Sequence, residues 1–286
     1  MTYEHLEVWR GDPRLSSWLD ELPAILDACS RRWSLTLGEP WTNSIASLTM
    51  PASRDGEAVV LKIGIPDREG ELEGEALRRL DGSGAVLLLD EDPDRRVMLL
   101  ERCTPGTPLT NEDTEAALDV LIGLLPRVWI AAGEPFRPLA DEVADLIVEM
   151  REHWEGTGRT IEERLIDAAT EAFESLAPTQ GEQVLVNQDL HADNVLAAER
   201  EPWLLIDPKP LMGEREFGVA SIVRGRELGH TREAVLRRLD RVTAELGLDR
   251  ERARLWSMAH TVSWCFDDDG PMREHIEAAT WLLDAA

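Results

Sequence analysis

Between Leu35 and Cys103 the chain alternates short apolar runs with turn residues, the pattern of a small sheet. Residues 44–50, 58–63, 85–89 and 97–100 read as strands, with a turn at 51–56 and an EDPDRR turn before the last of them. One helical stretch interrupts them, with Leu72, Ala76 and Leu80 one turn apart, so the expected order is strand, strand, helix, strand, strand. Ahead of this, Trp18, Leu22, Ile25, Cys29 and Trp33 share one helical face, and Pro23 is expected to kink or restart that helix.

Thr104-Pro105-Gly106-Thr107-Pro108 continues neither a helix nor a central strand and reads as a hinge. The pattern beyond it is mainly helical. Leu118, Leu121, Leu125 and Val128 form one stripe, Val143, Leu146, Ile147, Met150 and Trp154 a second, and Ile161, Leu165, Ala169, Ala172 and Leu176 a third. Leu255, Ala259, Val262 and Phe266, then Met272, Ile276, Ala279 and Leu283, supply two more. A β-rich island at 183–187, 195–198 and 203–206 interrupts the helices, its last two strands joined by a Glu-Arg-Glu-Pro turn. No internal repeat is present. The 286 residues therefore predict two units, 1–103 with an N-terminal helix and a β-rich lobe, and 104–286 mainly helical.

Charge narrows the partners. The formal net charge is −26, which disfavours nucleic acid and anionic membrane, whose phosphates need clustered Lys or Arg, and suits a cationic partner or, on charge alone, simply a solvated surface. No oligomeric state is set by the sequence. Three scattered cysteines, Cys29, Cys103 and Cys265, build neither a disulfide framework nor a CxxC metal site, and the first twenty residues hold no apolar export segment. A cytoplasmic location is expected.

Two sets of residues carry candidate chemistry. In the island, Asp189 and Asn194 lie five apart across a loop, and Asp207 ends the next hairpin strand, so folding the hairpin is expected to bring all three together. Two carboxylates and an amide suit Mg²⁺, which takes a few protein oxygens and completes its shell with water and phosphate. Asp and Asn are also ordinary turn residues, but two of the four asparagines in the chain fall within these eight residues. The second set comes from composition, because only Lys62 and Lys209 among the 30 basic residues are lysines. Lys62 ends the apolar strand AVVLKI, where a buried ammonium needs a carboxylate partner, and Glu69, Glu71, Glu73 and Glu75 follow on the next helix.

In this order the features resemble the kinase-like phosphotransferases, and most closely the aminoglycoside phosphotransferase family in its streptomycin 6-kinase and hydroxyurea kinase branch. The matching pieces run nearly the whole chain: WLDELPAILDACSRRWSLTLGEP, AVVLKIGIP, EGEALRRLDGSGAVLLL, LLERCTPGTPL, DLHADNVL, IDPKPLMGE and SWCFDDDG. The resemblance implies a protein-kinase-like two-lobe α+β fold, with a small antiparallel sheet and one main helix in the first lobe and a mainly helical second lobe. It also implies ATP- and Mg²⁺-dependent phosphorylation of a small-molecule hydroxyl. Asp189 would accept or orient the proton of the attacking hydroxyl, while Asn194 and Asp207 hold Mg²⁺. Lys62 would hold the α- and β-phosphates, paired with Glu73 by its place in the motif, or failing that with Glu75. Main-chain groups of Glu101, Arg102 and Cys103 would meet adenine, the loop 41–47 would cover the phosphates, and Lys209 would reach the phosphate or the substrate.

Three positions depart from the family pattern. Asn187-Gln188-Asp189 stands for His-Gly-Asp, so the bracing histidine is replaced by Asn187, whose amide can still donate a hydrogen bond. Phe217-Gly218-Val219-Ala220 lacks an aspartate that anchors the loop, and no glycine lies between Glu39 and Gly56. For the substrate, residues 104–286 carry 36 acidic and 18 basic side chains, so an acidic cleft is expected to attract a polycationic aminoglycoside, with Trp264, Asp267, Asp268 and Asp269 as contacts. The aspartates serve equally as a solvated helix end, with Asp269 as the cap of the final helix. The same residues also allow two other readings: a catalytically impaired relative that binds nucleotide or sequesters a cationic ligand, and a metal-dependent phosphoesterase using His191, Asp193 and Asp207.

Overall fold

The computed structural model describes residues 3–44, 46–267 and 270–285, and the chain divides into two compact units. The first comprises Met1–Gly106 with Ala197–Asp207, and the second Thr107–Leu196 with Pro208–Ala286.

The first unit is built on a five-stranded antiparallel sheet: β1 (Leu35–Leu37), β2 (Ser47–Arg54), β3 (Glu57–Gly64), β4 (Leu88–Asp92) and β5 (Val97–Glu101), in spatial order β1-β2-β3-β5-β4. Strand alternation decides which side chains go where. Val59, Leu61 and Ile63 of β3 join Leu48, Met50, Val97 and Leu99 in a core covered by Trp18, Leu22, Ile25, Cys29 and Trp33 of α1 (Pro13–Trp33). Lys62 therefore falls on the opposite face, between Thr49 and Met98 on the flanking strands. The single helix between strands, α2 (Glu73–Leu80), buries Ala76, Leu77 and Leu80.

Two prolines behave differently from their sequence signal. Pro23 lies inside a continuous α1, on its exposed face, where the carbonyl it strips of a partner can turn to water. Pro51 lies within β2 rather than in a turn. Its carbonyl accepts from the Gly38 N–H at 2.8 Å, so its ring nitrogen faces the same edge, just past the last residue of β1, where no ladder bond is forfeited.

The second unit contains α3 (Thr114–Val128), α4 (Leu139–Gly156), α5 (Glu163–Leu176), α6 (Ala220–Arg224), α7 (Arg232–Leu246), α8 (Arg250–Ser263) and α9 (Arg273–Leu283). The stripes read from sequence are buried in α3, α4 and α5 apart from Ile147. In α9 the buried face is Ala278, Ala279 and Leu282, one position off the expected one. Helix α7, unread in the sequence, buries Val235, Leu239 and Val242 at helical spacing. Trp256 of α8 is wholly buried, edge-on to Phe217 at 5.4 Å between ring centroids.

The β-rich island comprises β6 (Gln183–Asn187), β7 (Val195–Ala197), β8 (Trp203–Leu205) and β9 (Pro210–Glu214). β6 pairs antiparallel with β9, Asn187 opposite Pro210, and this ribbon carries the catalytic-type loop. β8 belongs to the first unit, where the Leu205 N–H donates to the Gly84 carbonyl at 2.9 Å and the Val86 N–H to the Leu205 carbonyl at 3.0 Å. Among the described residues no helix is long and apolar enough to cross a membrane.

Candidate active site

In the first unit the chemistry gathers around Lys62. Its ammonium donates to both carboxylate oxygens of Glu73, each at 2.7 Å, and to Oδ1 of Asp207 at 2.6 Å. Glu75 instead faces the opposite way, to Arg78 and Arg79. Lys62 and Glu73 are only 6% and 3% exposed. Burial alone would drive the lysine toward its neutral form, but Asp207 and Glu73 outweigh it and hold the ammonium protonated. Burial pushes the Glu73 carboxyl up, against the pull of Lys62, and the Asp207 charge adds to that push. Asp207 adds a second carboxylate beside the Lys62–Glu73 pair, an oxygen donor of the kind a divalent cation takes. Asp207 reaches Lys62 from a left-handed backbone conformation, φ 52°, an uncommon state that Asp tolerates better than most residues.

The end of β5 is held by its own side chains. The Glu101 carboxylate accepts from the Leu87 N–H and from Nε and Nη2 of Arg200, all at 2.9 Å. Arg200 also donates to the carbonyls of Gly82 and Ala85, each at 2.7 Å. The Glu101 N–H itself donates to the Leu87 carbonyl, so the main-chain groups this segment can offer a base start at the Glu101 carbonyl. Burial pushes the Cys103 thiol up to about 11, so it is neutral. Where the family pattern has glycine, hydroxyls run from the loop into the start of β2: Ser44 Oγ lies 3.1 Å from Ser47 Oγ, which lies 2.9 Å from Thr49 Oγ1. Arg102 lies over the Trp41 ring, 4.8 Å from its centroid.

In the second unit the site is the loop after β6. Asn187 braces it by accepting, not by donating: its Oδ1 takes the N–H groups of Asp189 and Lys209, each at 3.0 Å. Two N–H donors converging on one atom require the amide oxygen there. The Gln188 N–H donates to the Lys209 carbonyl at 3.1 Å, tying the loop to the IDPK turn. Asn194 Nδ2 donates to the Asp189 carbonyl at 3.1 Å, which commits the nitrogen and turns the amide oxygen away as a potential metal ligand. In place of the missing anchor aspartate, Ser221 Oγ donates to the buried Leu190 carbonyl at 2.8 Å, and Glu227 accepts from the Ala192 N–H at 3.3 Å.

The Asp189 carboxylate is ringed by basic side chains: His191 Nε2 at 3.7 Å, Lys209 Nζ at 3.8 Å and Arg224 Nη2 at 3.7 Å. Burial would raise its pKa, but His191, Lys209 and Arg224 overcome that and hold it well below the usual carboxylate range. Burial pulls His191 down, and its contact with Asp189 more than reverses this. So weak a base orients an attacking hydroxyl and takes its proton only as that hydroxyl loses it in the transition state. Trp264 sits beside this ring of charge, with Lys209 Nζ 5.4 Å and the Arg224 guanidinium 4.9 Å from its centroid. The backbone of Asp267 pairs with Gly270, while Asp268 and Asp269 lie outside the described residues. The cap position of the final helix is taken by Met272.

Arg200, Ser221, Arg224, Glu227 and His260 are site-forming residues that sequence reasoning missed. The one signal was indirect, a loop whose usual anchors are absent and must be replaced nearby. Asn187→Leu removes the acceptor from two main-chain N–H groups and is expected to lower unfolding stability by about 2 kcal/mol, checked by urea denaturation.

A sheet with a central strand lysine bonded to a helix glutamate, and a loop-borne aspartate in a mainly helical unit, is the architecture of the protein-kinase-like phosphotransferases. The chain matches the family described as aminoglycoside/hydroxyurea antibiotic resistance kinase over residues 32–270, and it belongs to that family. It is similar to a hydroxyurea phosphotransferase of Kitasatospora aureofaciens, 37% identical, covering 94% of this chain and 81% of the relative. A streptomycin 6-kinase of Streptomyces glaucescens is 36% identical, covering 88% and 85%. Among solved structures, a thermostable mutant of an aminoglycoside phosphotransferase, in ternary complex with ADP and hygromycin B, superposes with TM-score 0.66 at 13% identity over 91% of this chain and 98% of that one. The protein is thus an ATP-using small-molecule kinase.

Proposed function

We propose that this kinase transfers the γ-phosphoryl group of ATP to a hydroxyl of an aminoglycoside of the streptomycin type, in the cytoplasm. The observation that carries the phosphoryl-transfer reading is the buried Lys62 ammonium shared by Glu73 and Asp207. The choice of acceptor is supported by the 36% identity to a streptomycin 6-kinase and by the net −26 charge, which steers a polycation toward the protein.

In this reading the first unit is the nucleotide lobe and the second the catalytic and substrate lobe. Lys62, positioned by Glu73, binds the α- and β-phosphates, and main-chain groups of Glu101 and Cys103 bind adenine. Asn194 and Asp207 fit Mg²⁺ by donor type, one amide and one carboxylate oxygen, and when bound the ion neutralises phosphate charge. Asp189 holds the acceptor hydroxyl through its carboxylate. Lys209 meets the phosphate or the acceptor, and Trp264 with Asp267, Asp268 and Asp269 contacts the acceptor's cationic groups. The bracing by Asn187 and Ser221 supports a working loop rather than an impaired one.

ADP release from Mg²⁺-ATP, measured with streptomycin, other aminoglycosides and hydroxyurea in turn, tests this. Stimulation by streptomycin is expected. Stimulation by hydroxyurea alone would reassign the acceptor, and saturable ATP binding with no stimulated release would favour a sequestering role.

A further inference from the structure

Arg224 ends α6, and three independent features fix its guanidinium beside Asp189. His260, fully buried on α8, accepts from Arg224 Nη1 at its Nδ1. Burial, and then the Arg224 charge itself, push this imidazole well below its ordinary range, so it is neutral and its Nδ1 lone pair faces the cation. The Trp264 ring supports the guanidinium from a second side, at 4.9 Å. Behind the turn that follows α6, the buried Arg238 donates to the carbonyls of Val223, Leu228 and Gly229 at 2.8, 2.9 and 2.6 Å, locking the backbone on which Arg224 stands. This is much structure to hold one side chain. The 3.7 Å between Arg224 Nη2 and Asp189 Oδ1 is too long for a direct hydrogen bond, so the guanidinium stands beside the carboxylate without closing on it.

We propose that Arg224 is a catalytic residue that donates to the non-bridging oxygens of the phosphoryl group as it passes to the hydroxyl held by Asp189. The inference rests on the phosphoryl-transfer reading above. In the step, the bond from the acceptor oxygen to phosphorus forms while the bond from phosphorus to the β-phosphate oxygen breaks. ADP leaves with that electron pair, and the hydroxyl proton passes to Asp189. Charge spreads over the equatorial phosphoryl oxygens during this exchange, and a planar fork of donors at the acceptor side meets it, as an arginine finger supplied from the same chain. His260 and Trp264 are positioning residues for that fork.

The test compares wild type, Arg224→Met and Arg224→Lys in steady-state kinetics and in binding of ADP with Mg²⁺, with and without aluminium fluoride as a mimic of the flying phosphoryl group. Arg224→Met is expected to lower kcat by about 10³-fold with the KM for ATP within about threefold, the signature of a contact made only in the transition state. Aluminium fluoride should tighten ADP binding to wild type and not to Arg224→Met, while ADP alone binds both equally. Added guanidinium ion should restore part of the lost rate, which a merely structural role would not allow. If Arg224→Met loses its cooperative melting transition, Arg224→Lys serves instead, with kcat down at least about tenfold because an ammonium cannot reproduce the fork. Wild-type kcat in either folded variant, or equal tightening by aluminium fluoride in wild type and variant, overturns the proposal, as does absence of tightening in wild type. Failure of the functional reading is distinguishable, since it shows as no acceptor-stimulated ADP release by wild type, whereas the fluoride comparison needs no acceptor.

Discussion

Asp189→Ala is expected to lower acceptor-stimulated ADP release by about 10³-fold while leaving ATP affinity within about threefold. The split follows from where the carboxylate stands. It is bonded through its backbone to Asn187 and Asn194, and its oxygens face three basic side chains at 3.7–3.8 Å rather than closing on any of them, so the loop keeps its shape without the side chain. What is lost is the acceptor for the hydroxyl proton. Asp189→Asn separates two parts of the role: it retains a hydrogen-bonding oxygen for orientation and loses the base, so its rate should fall between wild type and alanine. A variant at this position that turns over at the wild-type rate would remove Asp189 from the chemistry.

Lys62→Met has the second largest expected effect, and it acts on stability and binding together. Removing the ammonium leaves Glu73 buried without its counter-charge and beside Asp207, a loss of about 3 kcal/mol in unfolding free energy, together with at least a tenfold weakening of ATP binding. A double variant tells the two apart. Lys62→Met with Glu73→Met replaces the buried pair by apolar side chains of similar length, and should recover most of the stability but none of the ATP affinity. Denaturant midpoints and nucleotide titrations of the two variants provide the check. Recovery of both properties would mean that Lys62 matters only as a structural ion pair.

The sheet of the first unit was legible because its signals are local. Strands β3 and β5 are short apolar runs closed by turn residues, whereas the acidic β4 starts later than expected and runs into the expected turn, and the alternation along β3 alone separates the buried Val59, Leu61 and Ile63 from Lys62. Lys62 stood out because the chain has almost no lysine, and Glu73 because a motif singled it out from four neighbouring glutamates. Arg200 and Arg224 were invisible for the opposite reason: in a chain with 28 arginines, one more carries no signal until the carbonyls and rings it touches are known. The two prolines misled because what tolerates them is tertiary, an exposed helix face for Pro23 and the end of a neighbouring strand for Pro51. Helix α7 was hidden by its own charges, its apolar Val235, Leu239 and Val242 being diluted by four arginines among fifteen residues. Asn187 was recognised as a brace in the wrong sense, since sequence shows an amide but not that two N–H groups converge on it.

The central claim, phosphoryl transfer from ATP to a small-molecule hydroxyl at Asp189, is tested most directly by following the label from γ-phosphate-labelled ATP in the presence of Mg²⁺ and streptomycin. The label should appear in the aminoglycoside, one equivalent for each ADP formed, and should stay in ATP when Asp189→Ala replaces the wild type. Label that remains in ATP, or passes only to inorganic phosphate, with streptomycin and with every other aminoglycoside and hydroxyurea, would contradict it.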